Sequence, residues 1–365
     1  MKTVLHIFPY TIFAVNYVNS FGMDRIRRHM FYFYGDYNIL SSSEMKFHDE
    51  AEIFFEEDNT QLLVLRILVG QADDIVLQCL PERATIAAFL MEYLESSKKN
   101  LIIYPWGREL YKTSDLYRTG KKDIIETVDK AKDYFVRNCD AIIISKFGYE
   151  YVINNYKTNC NFRIMFNAVR VVSSDEILGF CKEVGEQHKT RVMVGHRGTK
   201  SSCHEAGFLF LKKMNKPLSV ICPLSIGDKE YIKDTIELGK HLFNEDFFYI
   251  EEWMPKKDYY YYIINNVDIG VFPTITTEAI VTILFLIGHG IKVYINRQSE
   301  TYWLFKELGF VIFPFNKNEI EEDFLTPLSE KEKRVNREVA LRYTSVENFL
   351  ENWDYVLSHC ENLRK

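Results

Sequence analysis

From position 191 onward, short apolar runs and amphipathic stretches alternate so regularly that few folds remain open to the chain. Strands are expected over 191–194, 218–222, 247–250, 268–272, 292–295 and 310–313, with helices over 202–214, 229–243, 257–265, 277–288 and 300–308. Runs that are apolar throughout belong to strands covered on both faces. Strand–helix units in series then imply a parallel, doubly wound sheet. The first half repeats the theme less evenly. A buried strand over 2–8 precedes a helix over 12–21. Further strands are expected over 52–55, 62–68, 74–77, 100–104 and 141–145, with helices over 83–96 and 122–137.

At 365 residues the chain has material for two domains of ordinary size. The expected division is a first lobe over 1–172, a connection over 173–189, a second lobe over 190–329 and a charged helical tail over 330–365. A net charge of −6 argues against a general nucleic-acid binder. The seven cysteines include no CxxC pair, which fits a reducing compartment and offers no zinc site. The opening MKTVLHIFPY reads as a first strand rather than a signal peptide. The apolar stretch 279–287 is far short of the ~20 residues that a membrane span needs.

The stretch RVMVGHRGTKSSCHEAGFLFLKKM, 191–214, concentrates the candidate chemistry. Its turn places Gly195, His196, Arg197, Gly198, Thr199, Ser201 and Ser202 at a strand's carboxyl end, where a helix begins. Backbone N–H groups and the helix dipole there favour an anion such as a diphosphate, and Arg197 adds a charge-assisted donor. A second turn, PTITTEA, sets Thr276, Thr277 and Glu278 at the start of another helix. The hydroxyls suit capping or phosphate contact, and the carboxylate suits sugar or ribose hydroxyls. Both turns would open on the same sheet edge, which makes a nucleotide pocket the better joint reading. No GxGxxG follows the first strand, and neither GxxxxGK[ST] nor GxSxG occurs. No D-x-D pair is present to hold a divalent ion against a diphosphate, so no metal site is expected.

In the first half, NLIIYPWGRELYKT (100–113) ends a buried strand in a Pro–Trp–Gly turn, at the edge where open α/β sheets bind ligands. It offers Trp106, Gly107, Glu109 and Tyr111. The run MDRIRRHMFYFY, within 23–34, joins basic residues to four aromatics. It is either a strand preceded by charges or, over 25–34, a basic–aromatic surface facing anionic lipid.

Several segments resemble one known family. VGHRGTKSSCHEAGF is similar to the VGNS-type turn, followed by Ser, Asn and His before a helix, of the TDP-N-acetylfucosamine:lipid II N-acetylfucosaminyltransferases (4-alpha-L-fucosyltransferases, glycosyltransferase family 56). EYIKDTIELGKHLF, EEWMPKKDYYYYIINNVDIGVF and GHGIKVYINRQSETYWLFKELGFVIF continue the likeness. PWGRELY matches the family's WGxDLY, with Glu109 as its acidic member, and the opening VLHIF also fits.

The resemblance implies a GT-B α/β fold, two Rossmann-like lobes facing a central cleft, with the donor in the second lobe and the acceptor in the first. It implies glycosyl transfer from a nucleoside-diphosphate sugar, of TDP or UDP type, to a polyprenyl-diphosphate-linked saccharide. That chemistry belongs to O-antigen or related surface polysaccharide assembly at the cytoplasmic face of the membrane. No cofactor is implied. Gly195, Ser201 and His204 would belong to the donor turn, and Trp106, Gly107, Glu109 and Tyr111 to the cleft. Glu109 is the first candidate for base or acceptor-orienting group, with His6 and Asp115 behind it. The family's Arg- and Gln-rich, Gly-containing segment is replaced here by Thr276, Thr277, Glu278 and Ala279, so the donor's sugar or phosphates are held differently. Two other readings stay open: a GT-B nucleotide-sugar epimerase, and a non-catalytic nucleotide-sugar-binding partner in an assembly complex.

Overall fold

The apolar runs pair as parallel strands in two separate sheets. The computed structural model of the chain describes residues 1–10, 14–35, 47–55, 62–97, 99–106, 108–110, 122–158, 160–165, 173–180, 189–319 and 321–362. Two compact units result, one of Met1–Val171 with Ser345–Lys365 and the other of Val172–Thr344.

In the first unit the strands are β1 (Thr3–Pro9), β2 (Arg28–Tyr34), β3 (Glu52–Phe55), β4 (Asp74–Gln78), β5 (Asn100–Tyr104), β6 (Ala141–Ile143) and β7 (Asn161–Arg163). They lie in the order β3-β2-β1-β4-β5-β6-β7, every pair parallel. The strand period of two splits each run between two cores. Leu5, Ile7, Met30, Tyr32, Ile75 and Leu77 pack in one layer, while Val4, Phe8, Phe31, Phe33 and Val76 pack in the other. A sheet covered on both faces needs apolar residues at successive positions, which is why these strands show no alternation in sequence.

Two stretches differ from the sequence expectation. Residues 62–68 form no strand; Leu63–Gln71 is a helix, because Leu65, Leu68 and Val69 at helical spacing meet the core. Leu63 and Ile67, which a buried strand would cover, are 59% and 62% exposed. An apolar run this short has no unambiguous period. The aromatics of 25–34 are likewise no lipid-facing surface. Phe31, Tyr32, Phe33 and Tyr34 are buried in β2 between β1 and β3. The basic residues ahead of them are paired: Arg25 with Glu50, Arg27 with Asp354 and Arg28 with Glu52.

The second unit contains β8 (Thr190–Val194), β9 (Leu218–Pro223), β10 (Phe247–Ile250), β11 (Ile269–Phe272), β12 (Lys292–Asn296) and β13 (Phe313–Phe315). Their order is β10-β9-β8-β11-β12-β13, again all parallel. Helices His204–Met214 and Lys229–Phe243 cover one face through Phe208, Leu211 and Ile232. The helix Ile280–Gly288 is apolar on all sides and buried from Thr282 to its end, as suits a nine-residue core helix. Among the described residues no helix is long and apolar enough to cross a membrane.

The stretch 330–365 is not one tail. Helix Glu330–Tyr343 belongs to the second unit, and helix Val346–Asn362 returns to the first. There Phe349, Trp353, Val356 and Leu357 complete the core layer that holds Tyr17 and Phe21. Arg27, itself buried, reaches Asp354 at 2.8 Å and Ser358 at 2.9 Å. The final helix is therefore part of the first unit's core. Trp353→Ala should cost about 3–5 kcal/mol, seen as a lower midpoint in denaturant unfolding. An unchanged midpoint would show that the helix does not hold that core.

Candidate functional site

Strand order in the second sheet reverses direction between β8 and β11. Outside the carboxyl ends of two such strands the following segments diverge to opposite faces and leave a crevice. The two turns singled out in the sequence are the ones that leave this point, 195–202 after β8 and 273–279 after β11.

Close backbone approach shapes the first turn. Gly195 has φ of +70°, donates its N–H to the Val271 carbonyl at 3.0 Å, and would place a Cβ 2.4 Å from His204 Nε2. Gly198 pairs with Gly227, donating to the Ile226 carbonyl at 2.8 Å; a Cβ on Gly227 would lie 2.0 Å from the Gly198 carbonyl oxygen. Gly207, which the sequence reading passed over, lets the following helix sit against Val194 and Pro273. Both helices that leave the turns begin on a left-handed non-glycine residue, Cys203 with φ of 51° and Ala279 with φ of 60°. Neither of these residues caps its helix with a side chain. Strain of this kind costs about 1–3 kcal/mol per residue and gathers at ligand sites. Helix Ile280–Gly288 thus starts without a side-chain cap, whereas the first N–H of the other helix, that of His204, donates to the Tyr231 hydroxyl at 3.3 Å.

Glu278 joins the turns. Its Oε1 accepts from Arg197 Nη2 at 2.7 Å, Ser201 Oγ at 2.5 Å and Thr276 Oγ1 at 2.8 Å. Burial alone would raise the carboxyl pKa, but the Ser201 hydroxyl and the Arg197 charge more than offset it, and the pKa falls below the ordinary value. Burial also holds both nearby imidazoles neutral. His196 drops to about 3, with Glu278 opposing and Arg197 adding to the shift; His204 drops to about 4. At neutral pH His196 therefore adds no charge to the site, and Ser201 and Arg197 keep Glu278 ionised.

The remaining residues of the first turn serve it internally. Ser202 donates to the Arg197 carbonyl at 2.9 Å, and Thr199 stands 3.0 Å from the Ser201 hydroxyl. Thr277 donates outward, to Glu300 at 3.1 Å. His204 lies at the start of its helix with Nδ1 3.1 Å from the Tyr231 hydroxyl. Among the described residues of this site, three buried side-chain atoms make no hydrogen bond: Arg197 Nε, His204 Nε2 and Glu278 Oε2. Buried polar groups are nearly always satisfied, so two nitrogens and one acceptor left over in two facing turns call for a ligand that supplies both kinds of partner. Ile226, on the loop after β9, Ile275, on the second turn, and Trp253, beyond β10, are exposed. Among the described residues no group of three or more His, Cys, Asp and Glu is placed to hold a metal ion.

In the first unit the corresponding point lies between β1 and β4. Cys79 follows β4 with φ of 75°; its thiol donates to the Leu80 carbonyl at 3.7 Å and lies beside Glu109, which follows β5. Glu109 is buried and accepts from the Trp106 N–H at 2.5 Å. Burial raises its pKa, against the lowering pull of that amide, its own amide and Lys132. Trp106 and Glu109 thus share one turn at the carboxyl edge. Gly107, Tyr111 and Asp115 lie outside the described residues. His6 does not belong at this edge, and its candidacy as a base is corrected. It sits midway along β1, fully buried, with Nδ1 3.0 Å from the Tyr17 hydroxyl and Nε2 3.0 Å from His29 Nδ1. Phe21 and Phe31 pack against its ring. Both ring nitrogens are occupied, and burial lowers its pKa well below the usual value.

The pattern of the family described as 4-alpha-L-fucosyltransferase glycosyl transferase group 56 matches residues 87–362. Similar solved structures include a glycosyltransferase from Rickettsia africae, with TM-score 0.63 at 11% identity over 98% of each chain. Anabaena HepE in complex with UDP and glucose has TM-score 0.63 at 11% identity, covering 98% of this chain and 100% of that one. The lipopolysaccharide outer core galactosyltransferase WaaB has TM-score 0.58 at 10% identity, covering 98% and 99%. At such identities the likeness is one of fold, and the fold is the GT-B pairing of two Rossmann-like units.

The neutral imidazoles give the site a pH signature. Unfolded histidine binds its proton near pH 6.5, whereas folded His204 and His196 do so only near 4 and 3. The unfolded state therefore takes up more protons as pH falls, and stability must drop between about pH 6.5 and 4. Denaturant melts at pH 7, 6 and 5 should show a falling midpoint. His204→Gln should flatten the slope, and a slope that it leaves unchanged would remove His204 from the cause.

Proposed function

Because the chain belongs to glycosyltransferase family 56, the 4-alpha-L-fucosyltransferases, we propose a specific transfer for it. A deoxy or amino-deoxy sugar moves from a TDP- or UDP-linked donor to a saccharide on a polyprenyl diphosphate, in O-antigen or related surface polysaccharide assembly. The observation that carries the donor assignment is the set of three unpartnered buried atoms at the switch point of the second unit. A nucleoside-diphosphate sugar supplies phosphate oxygens for Arg197 Nε and His204 Nε2, and hydroxyls for Glu278 Oε2. Anabaena HepE, similar in fold, is known in complex with UDP-glucose, which supports that choice. The exposed Ile226, Ile275 and Trp253 offer the nucleobase an apolar rim.

In the transfer, the acceptor hydroxyl oxygen bonds to the anomeric carbon while the bond from that carbon to the diphosphate breaks. The hydroxyl proton leaves to a base. The negative charge grows on the departing diphosphate, and stabilising it is the main electrostatic task. Arg197, N–H groups of the 195–202 turn and the uncapped start of helix Ile280–Gly288 answer it. No divalent ion is assigned a part. Glu109, with its pKa raised by burial, is the acceptor-side carboxyl group, as base or as orienting group. A polyprenyl acceptor places the reaction at the cytoplasmic face of a membrane. The aromatics of β2, being buried, do not supply that contact.

Two outcomes follow for enzyme supplied with a nucleotide-sugar panel and a lipid-linked acceptor. Arg197→Ala should lower kcat/KM by about 10²–10³-fold, the size of one lost transition-state donor, and should also lower the melting temperature, because buried Glu278 loses its cationic partner; unchanged turnover would remove Arg197 from the site. EDTA should leave the rate unaltered, and a rate abolished by EDTA and restored by manganese would overturn the metal-free reading.

A further inference from the structure

Tyr231 belongs to neither turn. It lies near the start of helix Lys229–Phe243, after β9, and its hydroxyl meets His204 twice, 3.3 Å from the backbone nitrogen and 3.1 Å from Nδ1. The amide can only donate, so the hydroxyl oxygen accepts from it. The hydroxyl has one hydrogen to give. Thr235, which also stands beside that hydroxyl, spends its own hydrogen on the Tyr231 carbonyl at 2.7 Å. Given to Nδ1, the tyrosine hydrogen makes Nδ1 an acceptor and leaves the proton of the neutral ring on Nε2. Nε2 has no partner in a side chain that is 1% exposed, and it is the atom nearest to the Cβ position that Gly195 lacks.

We propose that Tyr231 is a positioning residue that holds His204 as its Nε2–H tautomer, so that this N–H donates to the diphosphate bound in the 195–202 turn. The inference rests on the donor site proposed above and adds to it the residue that sets the direction of one donor. Nε2 has almost no surface open to water. A phosphate oxygen reaches it through the notch beside Gly195, where no side chain intervenes. Fixing the tautomer beforehand spares the ring from exchanging its proton when ligand arrives, and a neutral donor in a buried site carries no charge that must be desolvated.

Two variants and a spectroscopic reading test this in the full chain. Histidine labelled with nitrogen-15, with the His204 signals assigned by their loss in His204→Gln, should show the proton on Nε2, and that signal should move when UDP or TDP is added. Tyr231→Phe should weaken calorimetric binding of UDP, TDP and inorganic pyrophosphate by about tenfold, the size of one hydrogen bond to a charged group. His204→Gln places an amide nitrogen close to the position of Nε2 and needs no tautomer. It serves as the background for the second comparison: adding Tyr231→Phe to it should change binding no further. The proposal is overturned if the proton sits on Nδ1, with Tyr231 donating to Thr235. It is overturned equally if Tyr231→Phe leaves binding intact, or weakens it as much in the His204→Gln background, which is what a merely structural tyrosine would do. An unaltered chain that binds none of the three probes overturns the donor site itself, and this proposal with it.

Discussion

A carboxylate almost removed from water has to be matched by donors, and the match that Glu278 finds ties the second unit's two loops together. Arg197 and Ser201 come from the turn after β8, while Thr276 and Glu278 come from the turn after β11. An unpaired buried charge is costly enough to forbid most other arrangements of these loops. The same network leaves Arg197 Nε and Glu278 Oε2 over. The site is thus held in shape by part of its hydrogen-bonding capacity and keeps the rest for a ligand. Arg197 is consequently no free cation waiting for phosphate. Its charge is already committed on one side, and a bound diphosphate would share it.

That network forms only because the sheet order brings its members to one place. In a doubly wound sheet, consecutive strands are laid down outward from the first, then the chain returns to the other side of that first strand. β8 and β11 become neighbours although a stretch of more than seventy residues separates them. Their carboxyl ends open side by side, and each releases its chain through a turn into a helix. The first unit repeats the order, and there too a left-handed non-glycine residue, Cys79, follows the strand at the switch point. The two units differ in what they place there. The second carries an arginine, hydroxyls and neutral imidazoles; the first carries a buried carboxyl group, Glu109, backed by an amide, a thiol and Lys132.

The errors in the sequence reading share one cause. Leu62–Leu68 is apolar throughout, and apolarity alone does not say whether a run lies flat in a sheet or winds as a helix with two residues left outside. The run from Phe31 to Tyr34 was open to a lipid reading because its two faces are buried by segments far away in sequence. His6 carries a side chain capable of base chemistry, yet its position midway along a covered strand gives it Tyr17, His29 and aromatic rings for neighbours. The terminal helix Val346–Asn362 has the composition of a solvated tail, and only its packing on Tyr17 and Phe21 makes it part of the first unit's core. In each case the residue type was read correctly and its surroundings were not.

The sequence by itself determined most of the covered strands, the helices between them and both turns of the proposed donor site, since each leaves a local signature: continuous apolarity, helical period, glycine and hydroxyl residues at a strand's end. Only the tertiary structure decided that Arg197 pairs with Glu278, that Tyr231 meets His204 and that His6 is enclosed. Those are contacts between segments tens of residues apart. Their partners are chosen by sheet order and packing, which no local pattern records.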